Sequence, residues 1–146
     1  YLAEIFTSAN IANPMEYRGD IVHYNEAIFD PEELAKAKKE GIAERVVFNK
    51  YFTDLAEAVR DGKMTLEAVQ DKLSAAMPAM ASDWRRLEKI DVWSDGLQCW
   101  FAGEGKVRDL CIRPSGTDAK TKIYLDGKDK QYLIDLFEQN FKDFRP

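Results

Sequence analysis

The chain is poor in several residue types and patterns on which large protein classes depend. It has two cysteines and one histidine in 146 residues. A small secreted domain stapled by disulfides uses more cysteine than this. Cys99 and Cys111 both fall inside strand-like runs and lack CxxC spacing, so they read as buried, reduced thiols of a cytoplasmic protein rather than as a redox pair. His23 has no serine, cysteine or carboxylate cluster visible near it in the sequence, which favours a surface or hydrogen-bonded histidine over a general base. No apolar run approaches the roughly 20 residues needed to span a membrane, and the start lacks the basic, apolar and small-residue regions of a signal peptide. Positive charge is in the minority: 21 Lys and Arg against 26 Asp and Glu give a net charge of -5, which excludes nucleic acid as a general partner. There is no internal repeat and no low-complexity segment. The chain opens at Tyr1 without an initiator methionine and reads as a piece of a longer protein, although processing gives the same start.

What is present is the balance of a globular protein, 45% hydrophobic and 32% charged, long enough for one domain with a core or a small domain with a helical attachment. Leu2, Ile5 and Phe6 suit one face of a short helix, Asn13-Pro14 breaks it, and Ile21, Val22 and Tyr24 suggest a short extended piece. The middle is helical. Asp30, Pro31 and Glu33 form a capping signature, and the helix is expected to end at Gly41. A second helix is expected over 42–61, with Ile42, Val46, Leu55, Ala58 and Val59 buried and Gly62 at its left-handed end. Thr65 caps a third, on which Leu66, Val69, Leu73 and Met77 recur at helical spacing, and Pro78 closes it. Residues 77–84 read as a connector.

The last third changes character. Residues 89–93 read as a strand, Ser94-Asp95-Gly96 as a tight turn using the positive φ that glycine accepts, and 97–101 as the return strand. Gly103-Glu104-Gly105-Lys106 lacks P-loop spacing and reads as a second turn. Strands follow at 107–112 and 122–125. Asp129 caps a final helix with Tyr132, Leu133, Leu136, Phe137, Phe141 and Phe144 on one face. The expected architecture is α+β, a small antiparallel sheet packed by helices and preceded by a helical segment. The expected division is 1–85, a mainly helical linker or the end of a preceding domain, and 86–146, a C-terminal phosphate-binding domain.

The string that carries chemistry is Arg113-Pro114-Ser115-Gly116-Thr117-Asp118-Ala119-Lys120-Thr121-Lys122, placed between two strands. Arg113 offers a planar fork for two phosphate oxygens. Ser115 and Thr117 offer hydroxyls, Gly116 lets successive amides bend toward one concavity, and Lys120 and Lys122 add charge on one face of the following strand. Proline, serine, glycine and threonine are also ordinary turn residues. Composition alone therefore leaves an anion site and a plain turn both open.

Arg-Pro-Ser-Gly-Thr, an acidic residue, Lys120, and then Lys122-Ile123-Tyr124 resembles the C-terminal domain of the α-D-phosphohexomutases, the family of phosphoglucomutase and phosphomannomutase. The Asp95-Gly96 turn and the following helix agree, and the resemblance runs from about Leu87 to Phe144. The family string has Glu-Pro where this chain has Asp118-Ala119, and losing the proline allows the loop more backbone freedom. The resemblance implies a four-domain enzyme that moves a phosphoryl group between the 1- and 6-hydroxyls of a hexose through a sugar bisphosphate, using a phosphoserine and a Mg2+ ion. It implies that Arg113, Ser115, Gly116, Thr117 and Lys122 hold the phosphate that is not reacting, with a hexose phosphate as substrate and the missing N-terminal domains of the same chain as partners. No Ser-His-Asn-Pro loop, no Asp-Gly-Asp-x-Asp metal motif and no sugar-reading glutamate loop is recognisable here, so no catalytic residue and no metal ligand are assigned to this chain. Two other readings stand beside this one: a family member acting on amino-sugar phosphates, and a stand-alone phosphate-binding module. Trp84, Trp93 and Trp100 suit packing more than sugar stacking. The charged run 36–40 reads as a solvated helix face, and Tyr24, Tyr51 and Phe52 as packing residues.

Overall fold

Alternation of apolar and polar side chains along two adjacent segments builds the centre of the molecule. A computed structural model of the chain describes residues 15–78, 86–102 and 106–146. Its strands are β1 (Met15–Val22), β2 (Leu87–Trp93), β3 (Gly96–Phe101), β4 (Val107–Pro114) and β5 (Lys120–Gly127). Its helices are α1 (Pro31–Arg60), α2 (Leu66–Ala76) and α3 (Lys130–Leu136), the last continued by one wide turn at Phe137–Phe141. The strands form one antiparallel sheet in the order β1-β5-β4-β3-β2. The fold is α+β, with helices on one face of the sheet. The segment around Leu2, Ile5 and Phe6, the connector beyond Pro78 with Trp84, and the turn at 103–105 lie outside the described residues.

Period-two burial assigns the two faces. Ile21, Leu97, Cys99, Leu110, Ile112, Ile123 and Leu125 point into the core, where they meet Phe48, Phe52 and Leu55 of α1, Val69 and Leu73 of α2, and Leu133, Leu136, Phe137 and Phe141 at the C-terminus. The opposite face carries Arg18 and Asp20 of β1, Lys120, Lys122 and Tyr124 of β5, Cys111 and Arg113 of β4, and Gln98 and Trp100 of β3. Strand β1 pairs along β5 from Met15↔Gly127 to Val22↔Lys120, so residues on both sides of position 85 share one sheet and one core. The two thiols lie on opposite faces. Cys99 is buried, and burial pushes its thiol up to about 12.

Helix punctuation follows the sequence at most ends. Asp30 accepts from the Glu33 amide at 2.9 Å, Thr65 accepts from the Ala68 amide at 3.0 Å, Gly62 has φ 75° after the end of α1, and Asp129 caps α3. Gly41 is the exception. Instead of ending a helix, it sits inside α1, which runs unbroken from Pro31 to Arg60. Reading Gly41 as a stop also reset the helical phase, which is why Ile42 and Val46 were expected inside. They are exposed, as is Val47, whereas the continuous phase buries Gly41, Phe48, Phe52, Leu55 and Ala56. Glycine serves here for close approach. A Cβ at position 41 would stand 2.7 Å from the His23 carbonyl oxygen and 2.9 Å from the Ala119 Cβ. Gly96 is similar: its φ of 158° is nearly extended, and a side chain there would run into the Ile112 carbonyl and Arg113.

Gly41→Ala separates these two roles. Alanine favours an unobstructed helix interior by about 1 kcal/mol over glycine, whereas overpacking a tight contact costs about 1–3 kcal/mol. We expect the variant to be less stable than the wild type in urea denaturation. A gain in stability would mean that α1 does not press on His23 and Ala119.

Candidate functional site

Strands β4 and β5 pair through Arg113↔Lys122 and Pro114↔Thr121, and the Ser115 amide donates to the Lys120 carbonyl at 3.0 Å. Arg113 and Pro114 are thus strand residues, and the connection itself is residues 115–119. Inside it the Ser115 Oγ accepts from the Asp118 amide at 3.1 Å and, at the limit of a hydrogen bond, from the Thr117 amide at 3.5 Å. Two backbone N–H groups converge on one oxygen, which is the arrangement an anion nest offers, and here a hydroxyl occupies the acceptor position. Gly116 does not supply a left-handed bend, since among the described glycines only Gly62 and Gly96 have positive φ. It supplies space: it is exposed, and nothing lies within 4 Å of where a Cβ would stand.

The cationic side chains gather on the open face beside this turn. Arg113 and Lys122 are cross-strand neighbours, and Lys120 follows on the same face. Arg113 is exposed. Its Nη2 donates to Asp95 Oδ2 at 2.6 Å, and its guanidinium stands 5.9 Å from the Tyr124 ring centroid. Asp95 belongs to the β2–β3 turn, which the absent side chain of Gly96 allows to rest against Arg113. The pair is solvent-exposed on both sides, so water and salt screen it. The structure therefore brings together Arg113, Ser115, Gly116, Thr117 and Lys122, and adds Asp95, which sequence reading had treated only as turn chemistry.

A second layer lies behind the turn. Arg45 of α1 donates from Nη1 to the Ser115 carbonyl at 2.6 Å and to the Asp118 carbonyl at 2.5 Å. The His23 amide donates to the Ala119 carbonyl at 2.8 Å, and Ala119 is buried. The turn thus has restraints of its own in place of a proline at 119. Beneath it the His23 ring joins Glu44 Oε2 at 2.7 Å through Nδ1 and Thr121 Oγ1 at 2.8 Å through Nε2. Asn49 Nδ2 donates to the same Thr121 oxygen at 3.0 Å, and Arg145 grips Glu44 Oε2 at 3.0 Å. With Asn49 donating, the Thr121 hydroxyl is assigned as donor to Nε2, and the Nδ1–H of a neutral imidazole as donor to Glu44. Burial lowers the His23 pKa, the hydrogen bond and charge of Glu44 opposing it. Hydroxyl, imidazole and carboxylate stand in the order of a catalytic triad, but Thr121 is fully buried and its oxygen already engaged, so the row acts as a brace. The hydrogen-bonded reading of His23 holds. Its partners Glu44 and Thr121 were invisible because they lie 21 and 98 residues away.

Farther along the open face, Arg108 bridges Asp109 and Asp126 at 3.1 and 3.0 Å, and Gln98 donates to Asp109 at 2.7 Å. Burial and the neighbouring Asp109 push the Asp126 carboxyl up to about 7. Trp100 donates to Asp91 at 3.0 Å and Trp93 to Gln98 at 3.3 Å, so both indoles are tied to strand neighbours. Among the described residues no group of three or more His, Cys, Asp or Glu side chains is arranged to hold a metal ion, and no helix is long and apolar enough to cross a membrane.

The His23 brace has a pH signature. Because the folded-state pKa lies below the ordinary value of 6.5, the unfolded chain takes up a proton first as pH falls, and stability is lost downward from that point. Asp126 slopes the other way, since its raised pKa makes stability fall as pH rises toward about 7. Its contribution cancels when two variants that both retain it are compared. We expect the stability advantage of wild type over His23→Gln, read from urea midpoints, to be smaller at pH 5 than at pH 7.5. An advantage that is constant or larger at pH 5 would contradict the neutral, buried imidazole.

No family model matches this chain, and neither a curated protein nor a solved structure matches it.

Proposed function

We propose that the chain is the C-terminal, substrate-phosphate-binding part of an α-D-phosphohexomutase, with the small-sheet domain type of that family. The observation that carries this reading is the convergence of the Thr117 and Asp118 amides on one oxygen, with Arg113 and Lys122 alongside, within a string that resembles the family's phosphate loop and departs from it at Asp118-Ala119. A phosphate oxygen entering the place of the Ser115 hydroxyl would receive both amides, and the rotated hydroxyl could then donate to it. Arg113, leaving Asp95, would present a fork to two further oxygens, and Lys122 would add charge.

In the proposed reaction this chain does no covalent chemistry. It grips the end of the hexose bisphosphate that is not being transferred, and that remote binding energy holds the reacting end in place and favours closure of the cleft. Gripping either phosphate in turn is compatible with a turn that reads charge and oxygen geometry rather than the sugar ring. The proposal assigns none of the ligands of the family's Mg2+ to this chain and places them in other domains of the enzyme. Sugar choice among glucose, mannose and amino sugars is assigned to those domains as well.

Amide chemical-shift titrations of the chain with inorganic phosphate, glucose 1-phosphate and glucose test this reading. We expect Gly116, Thr117 and Asp118 to shift with both phosphates and not with glucose. Arg113→Ala should weaken phosphate binding by about ten- to a hundredfold, the range of a lost charge-assisted contact. Asp95→Asn, which removes the internal competitor, should tighten it. Absence of shifts in the turn, or equal shifts with glucose, would defeat the proposal. Measurable mutase turnover by this chain alone would defeat the division of labour.

A further inference from the structure

Helix α1 carries no phosphate motif, yet it holds the turn from behind. Arg45 reaches the two carbonyls at either end of the turn, Ser115 and Asp118, from one nitrogen. Its reach depends on its neighbours one turn away on each side. Gly41 lets the helix lie against His23 and Ala119, and Asn49 bonds both the Arg45 carbonyl at 2.9 Å and Thr121 at 3.0 Å. Among the described residues Arg45 makes no ion pair, and its Nη1 is given over to the two turn carbonyls.

The planarity of the peptide gives this contact a direction. In a trans peptide the C=O and the following N–H point opposite ways. A Ser115 carbonyl turned onto Arg45 therefore turns the Gly116 N–H away from α1. Gly116 is exposed, its surroundings are empty, and its amide donates to no group among the described residues. The same holding of Asp118 fixes the far end of the turn, next to the amides of Thr117 and Asp118 that converge on Ser115 Oγ.

We propose that Arg45 is a positioning residue of the phosphate site: by gripping the Ser115 and Asp118 carbonyls from behind, it aims the Gly116 amide outward and holds the turn ready for an anion. This rests on the phosphate reading above and adds a residue that the Arg-Pro-Ser-Gly-Thr string does not contain. The contact acts through the backbone. Arg45 shapes the donors, and Arg113 with Lys122 meets the anion.

The test uses the whole chain, with inorganic phosphate as probe, comparing wild type, Arg45→Met and Arg45→Lys by amide shifts at low and at high sodium chloride. Arg45→Met should bind phosphate about tenfold more weakly, the consequence of losing preorganisation in a short loop. The fold-loss should be similar at both salt concentrations, because a positioning effect is not screened as a through-space charge is. Arg45→Lys, shorter but still a donor, should recover part of the affinity, and it serves alone if the methionine variant fails to fold. In both variants the unliganded Gly116 and Thr117 amides should shift, and the Asp118 amide, bonded to Ser115 Oγ in the wild type, should exchange faster with solvent. Unchanged turn amides would overturn the role of Arg45 whatever phosphate does. A loss confined to low salt would replace positioning with long-range charge and overturn it too. A wild-type chain that shows no phosphate shift, while its variants show altered turn amides, would defeat the phosphate reading and leave Arg45 as a clamp without that ligand.

Discussion

The structure depends on the contact between one face of helix α1 and the end of the β1–β5–β4 sheet. Gly41 permits the approach, Phe48 and Phe52 bury the apolar part, and Arg45, Glu44 and Asn49 carry the polar part. These positions repeat at three- and four-residue intervals, so a single helix stripe packs on the core and also ties the turn down. Because the contact joins residues far apart in the chain, it closes long loops at an entropic cost that only a well-buried interface offsets. The aromatic cluster of Phe48, Tyr51, Phe52 and Phe144 supplies that burial.

This arrangement gives a short polar turn the order that a proline gives elsewhere. Residues 116–118 are exposed on one side of the turn, and on the other the Ser115, Asp118 and Ala119 carbonyls are satisfied by Arg45 and by the His23 amide. A loop whose backbone is fixed before the ligand arrives spends less of the binding energy on ordering itself. The Asp118 amide and the Arg113 guanidinium meanwhile rest on internal acceptors, the half-buried Ser115 hydroxyl and the exposed Asp95 carboxylate. Site and scaffold are therefore one construction, and the helical segment that carries no motif of its own acts as the site's support.

Much of this was legible in the residues. Strand alternation along 107–112 and 122–125, which the structure extends to 107–114 and 120–127, the caps at Asp30, Thr65 and Asp129, and the apolar face of the C-terminal segment are local signals, and local signals survive folding. The candidate site's residues could be named from the sequence because Arg113 to Lys122 lie in one string. Three things were not. Gly41 looked like a stop because glycine near the end of a helical run commonly is one, and only the neighbouring His23 carbonyl and Ala119 show that it marks close packing. Arg45, Glu44 and Asn49 carried no reading of their own, because the groups that occupy them lie 21 to 101 residues away. The extent of β1 was missed for a related reason: its neighbour is β5, a hundred residues on, and its alternation is weak at Arg18-Gly19-Asp20.

A crystal structure of the chain grown with inorganic phosphate is the most direct measurement of whether this turn is a built anion site. The account predicts a phosphate seated against the Gly116, Thr117 and Asp118 amides, with the Ser115 hydroxyl rotated aside, Arg113 turned from Asp95 onto the anion, and Arg45 still on both carbonyls. Phosphate bound elsewhere, or a turn whose amides remain closed on Ser115 at saturating phosphate, would contradict it.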